Sequence, residues 1–114
     1  MVLAKGYFAA FAVAIGVVWL ASGPAAAQSK TVEVMIEHFA FTPANLIVAA
    51  GDTLVFVNRD IVPHTATASD NSWTTGEIAH GASARVTLPT RPGADYFCKF
   101  HPIMKGHLTI ASPK

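Results

Sequence analysis

Residues 98–104 read Cys-Lys-Phe-His-Pro-Ile-Met, which places a thiol, an imidazole and a thioether within seven positions, with Lys105 and Gly106 following at once. Cys98 is the single cysteine of the 114-residue chain. No disulfide within the chain can therefore staple the fold, and the segment carrying these side chains must be held by what flanks it. Pro102 stiffens its middle by fixing φ. A lone cysteine in an oxidising compartment pairs between chains, stays buried as a small hydrophobe, or serves as a ligand. Beside His101 and Met104 the ligand reading prevails, because sulfur and imidazole select soft metals and leave magnesium, calcium and manganese to oxygen donors.

The flanking sequence reads as short strands. Residues 31–38 alternate, with Val32, Val34 and Ile36 on one face and Glu33, Met35 and Glu37 on the other, the pattern of a half-buried strand. Residues 38–43, His-Phe-Ala-Phe-Thr-Pro, break it, and 45–49 resume before the turn Ala50-Gly51-Asp52. Residues 53–58 are β-branched and aromatic, with Leu54, Phe56 and Asn58 opposite Val55 and Val57, which suggests a central strand. Further strands are expected over 65–68, 83–88, 94–98 and 106–111, the last with Leu108 and Ile110 facing inward. The polar region 69–81 carries the weakest signal, and Arg91-Pro92-Gly93 marks a turn. No stretch after residue 27 sustains a helical period. The expectation is an all-β sandwich or barrel, with 98–104 as a hairpin-like loop at one end.

Residues 1–27 read differently. Lys5 precedes an uncharged apolar run over 7–21, and small residues lead to Ala25-Ala26-Ala27. A basic start, an apolar middle and an Ala-x-Ala site describe a cleaved signal peptide. The run is short against the ~20 residues that span a bilayer. The expected organisation is a signal peptide over 1–27 and one domain over 28–114, exported to the periplasm and free of the membrane after cleavage. The chain carries 8 Lys and Arg against 7 Asp and Glu, and loss of Lys5 balances the two signs. No basic stripe points to nucleic acid. Arg91, Lys99, Lys105 and Lys114 face Asp95 alone near the end, a mildly positive rim or scattered solvated lysines.

A trigonal site of two histidines and a cysteine with a weak axial methionine is the arrangement of a blue copper centre, so a second histidine must join Cys98, His101 and Met104. His64, in Val62-Pro63-His64-Thr65-Ala66, is the candidate. Cys-x-x-His-Pro-x-Met with an upstream Pro-His resembles the cupredoxins, and the short spacing is most similar to the amicyanin type within the plastocyanin-like group. The resemblance runs from about residue 30 onward. It implies a Greek-key antiparallel sandwich that brings His64 beside the loop, with one copper held by His64, Cys98, His101 and Met104. It also implies His101 near the surface among apolar residues, for which Val62, Pro63, Pro102 and Ile103 are suitable. Phe100 is expected to shield the metal. The family usually has Asn after the upstream histidine; Thr65 stands there in this chain, in a position that bears on the reduction potential through hydrogen bonding near the sulfur. His38, His80 and His107 match no ligand position and read as surface or structural residues.

By that resemblance the chain is a monomeric type 1 copper protein passing single electrons between redox partners, such as a c-type cytochrome or an amine dehydrogenase. Copper binding or delivery in metal homeostasis is the alternative, although the clusters of extra methionine or histidine that delivery favours are missing. An enzyme is not expected: no His-x-His pair serves a second copper, and neither Gly-x-Ser-x-Gly nor His-Glu-x-x-His occurs.

Overall fold

A computed structural model describes residues 6, 12–18 and 28–112. Most of the stretch read as a signal peptide, including Ala25-Ala26-Ala27, lies outside the described residues, as does Lys114. No helix occurs among the described residues, and none is long and apolar enough to cross a membrane. The fold is all-β.

Eight strands follow in order: β1 (Thr31–Glu37), β2 (Ala40–Thr42), β3 (Asn45–Val48), β4 (Thr53–Asn58), β5 (Thr67–Ala68), β6 (Ser83–Thr87), β7 (Asp95–Phe97) and β8 (Lys105–Ile110). They form two four-stranded sheets, β2-β1-β4-β6 and β3-β8-β7-β5. The sandwich implied by the resemblance is present, but where an antiparallel one is expected both sheets are mixed: β1 pairs with β4 in parallel, and so does β3 with β8. The cause is a change of sheet. After β2 the chain crosses to the second sheet for β3 and returns through 49–52, so β4 enters the first sheet running in the direction of β1. Asp52 holds that return, its Oδ1 accepting Lys30 N–H at 3.0 Å and its Oδ2 accepting Ala49 N–H at 2.8 Å.

The expected break at 38–43 is a tight hairpin instead of an irregular segment. Glu37 pairs with Ala40, and the two residues between them, His38 and Phe39, have φ of 54° and 55°. Positive φ at both central residues is the turn whose twist suits adjoining antiparallel strands. The weakly patterned 69–81 region also has order: His64 bridges Ile78 and Thr67 bridges Thr74, which lays this segment along 64–68 and buries Trp73 and Ile78.

Period-2 alternation fills the space between the sheets. Leu54, Phe56 and Asn58 of β4 are buried, as are Val34 and Ile36 of β1 and Leu108 of β8, while Ile110 is half-buried against the same core. Phe41, Phe56, Trp73 and Tyr96 form its aromatic centre, with Tyr96 at 4.8 Å from Phe41, 5.3 Å from Trp73 and 5.8 Å from Phe56 between ring centroids. Pairs in such edge and tilted arrangements each add roughly 0.5–1.5 kcal/mol beyond area burial. Tyr96 lies over Gly106 of β8, its partner in the β7–β8 register, and a β-carbon at 106 would collide with the tyrosine ring. Glycine there lets the ring sit flat on the strand that leaves the 98–104 loop.

Two outcomes follow for unfolding of the metal-free chain. Gly106→Ala drives a methyl into the Tyr96 ring and is expected to lose about 1–3 kcal/mol, the usual cost of overpacking, read as a lowered urea midpoint. The Tyr96 hydroxyl is buried without a hydrogen-bond partner among the described residues, and burial pushes its pKa up, so it stays neutral. Tyr96→Phe removes that desolvated group and is expected to gain about 1 kcal/mol. A loss of stability on that change would contradict an unpartnered hydroxyl.

Candidate metal centre

The three-residue spacing of Cys98, His101 and Met104 has a direct backbone cause. His101 N–H donates to Cys98 C=O at 3.2 Å, and Met104 N–H donates to His101 C=O at 2.9 Å, so each interval is one reverse turn. Cys98 N–H then closes the loop onto Met104 C=O at 3.1 Å. The loop is thus two linked turns mounted on β7 and β8, and its side chains hold their places through main-chain bonds. Met104 and Cys98 are buried and His101 is half-buried.

His64 arrives on the other segment, and the residues before it explain its position. Asn58 ends β4 with its side chain inward and fully satisfied: Nδ2–H donates to Val62 C=O and to Ile78 C=O, each at 2.9 Å, while Oδ1 accepts Asp60 N–H at 2.9 Å. Those bonds fold 59–63 into a compact approach. His64 N–H then donates to Ile78 C=O at 3.1 Å and its own C=O accepts Ile78 N–H at 2.7 Å. The imidazole is wholly buried. Its Nε2 lies 2.8 Å from Asp60 Oδ2, and an ionised carboxylate only accepts, so Nε2 is the donor of this bond and Nδ1 is the ring nitrogen that faces Cys98. Burial raises the Asp60 carboxyl pKa, but hydrogen bonds from Phe39, His64 and His38 outweigh it and the net shift is downward, which keeps the group ionised.

The ligand atoms of His64, Cys98 and His101 lie within 4.8 Å of one another. Nδ1 of His64 is 3.6 Å and Nδ1 of His101 is 3.8 Å from Cys98 Sγ. Metal bonds of about 2.0 Å to imidazole and about 2.3 Å to thiolate, opened by about 110–120°, set nitrogen and sulfur roughly 3.5–3.7 Å apart, within about 0.1 Å of both separations. The donor set thus fits one ion between these three side chains. Thr65 N–H donates to the sulfur at 3.3 Å. Thr65 Oγ1 in turn accepts Lys99 N–H at 2.9 Å, so the threonine joins the His64 segment to the residue after Cys98.

The structure also shows residues the sequence reading did not assign. Phe100, expected to shield the metal, is half-exposed, and the ring set edge-on against both imidazoles is Phe39, at centroid distances of 5.4 Å to His64 and 5.0 Å to His101. Phe39 comes from the β1–β2 turn, far away in sequence, which no local pattern could reveal. Asp60 and Asn58 did leave a trace, as a carboxylate four residues before His64 and an amide in phase with Leu54 and Phe56. His38 and His80 are exposed, and His107 lies exposed on the outer face of β8, its Nδ1–H donating to Asp95 Oδ1 at 2.7 Å.

The model of the cupredoxin-like domain family matches residues 9–110, a span that includes part of the apolar N-terminal run. Comparison with curated proteins finds no match. Among solved structures, the Cu-containing nitrite reductase (NirK) from Thermus scotoductus SA-01 is similar with a TM-score of 0.64 at 29% identity, over 83% of this chain and 25% of that one. This chain therefore spans about a quarter of that protein. A reduced amicyanin with a proline substitution matches with a TM-score of 0.60 at 25% identity, over 71% of this chain and 82% of its own. The Cu(I) form of an amicyanin with a methionine substitution gives 0.62 at 24%, covering 76% and 87%, a likeness of fold. With its two mixed sheets, its loop of paired turns and this donor cluster, the chain belongs to the cupredoxin-like domain family, as a copper-binding, electron-transfer domain with an amicyanin-like structure.

Proposed function

We propose that this chain is an exported type 1 copper protein that carries single electrons between redox partners, with His64, Cys98, His101 and Met104 as its ligands. The observation that carries this reading is the convergence of His64 Nδ1, His101 Nδ1 and Cys98 Sγ at separations suited to one ion. Copper, when bound, supplies one-electron chemistry by alternating between Cu(I) and Cu(II). The chain's part is to hold the donors still. Cys98, whose sulfur accepts Thr65 N–H, the imidazoles of His64 and His101 and the buried thioether of Met104 would hold the ion, with the thioether as the weakest of the four donors. Donors held by backbone turns and by Asp60 rearrange little between two charge states, which keeps the barrier to electron exchange low.

Access is one-sided. Of the four donors His101 alone is not fully buried, and the segments that bear the histidines expose Ile61, Pro63, Phe100, Pro102 and Ile103. Val62, expected in this patch, is half-buried. Apolar patches of this kind mark partner sites, and a c-type cytochrome or an amine dehydrogenase is the proposed partner class for a monomeric carrier. Burial of three donors favours retention of the metal over delivery, the alternative raised by the sequence. The proposal includes that this chain is a carrier and not an enzyme. It places the protein in the periplasm after loss of residues 1–27, leaving 28–114 as the domain. In support, Val13, Ile15, Val17 and Val18 of the apolar run are exposed and add nothing to the core, and β1 begins at Thr31.

Copper-loaded, oxidised protein is expected to show an intense visible thiolate-to-copper band that Cys98→Ser abolishes and Asp95→Asn leaves in place. A colourless Cu(II) complex of the wild type would sink the type 1 assignment. For docking, Ile103→Asp puts a charge in the patch without touching a donor. It is expected to leave the band unchanged and to weaken association with a c-type cytochrome about tenfold, or about 1.4 kcal/mol, measured by stopped-flow electron exchange; an unchanged rate would remove the patch from the reading.

A further inference from the structure

The β1–β2 hairpin turns on two successive left-handed residues that are neither glycine nor asparagine, His38 and Phe39. Side chains in that region cost about 1–3 kcal/mol each and persist where the surroundings over-determine them. Asp60 supplies that determination. Its Oδ1 accepts His38 N–H at 2.8 Å, and its Oδ2 accepts both Phe39 N–H at 3.0 Å and His64 Nε2–H at 2.8 Å. The carboxylate is itself well placed for this, with its side chain 11% exposed. The turn it holds sends the Phe39 ring against both imidazoles, which themselves lie 5.0 Å apart at 62°. An Asn-Gly turn would close the same hairpin without strain, but it would put no ring there.

We propose that Asp60 is a positioning residue for the metal centre, which sets His64 in the Nε2–H tautomer and braces both imidazoles through Phe39, so that the donors are arranged before metal enters. The tautomer follows from chemistry, since a carboxylate contacting Nε2 leaves Nδ1 as the atom that faces Cys98 Sγ. The brace follows from packing: His64 is confined by Asp60 at Nε2 and by the edge-on Phe39 ring, and His101 meets the same ring. The strain at Phe39 thereby has a use, because relief of it would release the contact. The consequence for metal binding rests on the copper reading given above, whereas the tautomer and the brace are properties of the metal-free chain.

The test reads both. Long-range 1H–15N correlation spectra of the metal-free chain at pH 8 are expected to show His64 as a single Nε2–H tautomer, and a mixture in Asp60→Ala. Because Asp60→Ala also strips two turn N–H groups of their acceptor, it is paired with Asp60→Ala/His38→Gly, in which glycine relieves the left-handed turn. The double variant is expected to regain stability yet keep mixed tautomers, and to bind Cu(II) about 10–100-fold more weakly than the wild type. Recovery of wild-type copper affinity, or of the single tautomer, in that double variant would reduce Asp60 to a clamp on the turn and overturn the proposal. Phe39→Leu retains every Asp60 hydrogen bond; it is expected to keep the tautomer and lower Cu(II) affinity at least threefold, and an unchanged affinity would refute the brace. A wild type with one tautomer but no copper uptake would defeat the metal assignment and leave the positioning of His64 standing.

Discussion

Two hydrogen bonds tie together segments far apart in the chain, across 33 and 34 residues, and the geometry of the site depends on them: Thr65 N–H to Cys98 Sγ, and Lys99 N–H to Thr65 Oγ1. They run in opposite directions between the same two pieces of chain. Neither the His64 end nor the Cys98 end can slide without breaking one of them. The threonine hydroxyl is held in turn by Thr67 Oγ1 at 3.2 Å, which reaches Thr74 Oγ1 at 2.8 Å. Where the family usually has Asn, this chain thus keeps an acceptor for the backbone beyond the cysteine, built from a hydroxyl chain. A buried polar network of this sort is sound only when each member has a partner, and these do.

Around that tie the fold divides its labour between the two sheets. The first sheet delivers Phe39 from the β1–β2 turn and, through Asn58 at the end of β4, the bent approach to Asp60 and His64. The second delivers Cys98 and Met104 from the ends of β7 and β8, locked by Tyr96 packed on Gly106. Parallel pairing of β1 with β4 puts the start of the β1–β2 turn beside the end of β4, since Ile36 is in register with Asn58. Asp60 can therefore reach His38 and Phe39, over 20 residues away in sequence. A strictly antiparallel pair would bring the opposite end of β1 to that place.

Burial and exposure then separate two requirements of a redox centre. In the proposed function, low solvent access at His64, Cys98 and Met104 would keep the donors dry and fixed, while His101 and the exposed apolar residues beside it leave one face open to contact.

Much of this was legible in the residues themselves. Spacing and softness of donors marked Cys98, His101 and Met104, because ligands three apart lie within one local stretch; period-2 alternation marked β1, β4 and β8, because side-chain direction along a strand depends on neighbours alone. The hairpin at His38 and Phe39 was not legible, since its turn is made by residues whose own preferences oppose it and is stabilised by a distant carboxylate. The contact of Phe39 with both imidazoles was not legible for the same reason, since the ring comes from a turn far from either histidine in sequence. What the sequence by itself determined is a β-rich chain carrying a soft, loop-borne donor triad and a candidate fourth ligand. Only the tertiary structure decided that His64 meets Cys98 and His101, through Asp60, Thr65 and Phe39, because hydrogen bonds and ring contacts across two sheets depend on strand order and direction, which no local pattern encodes.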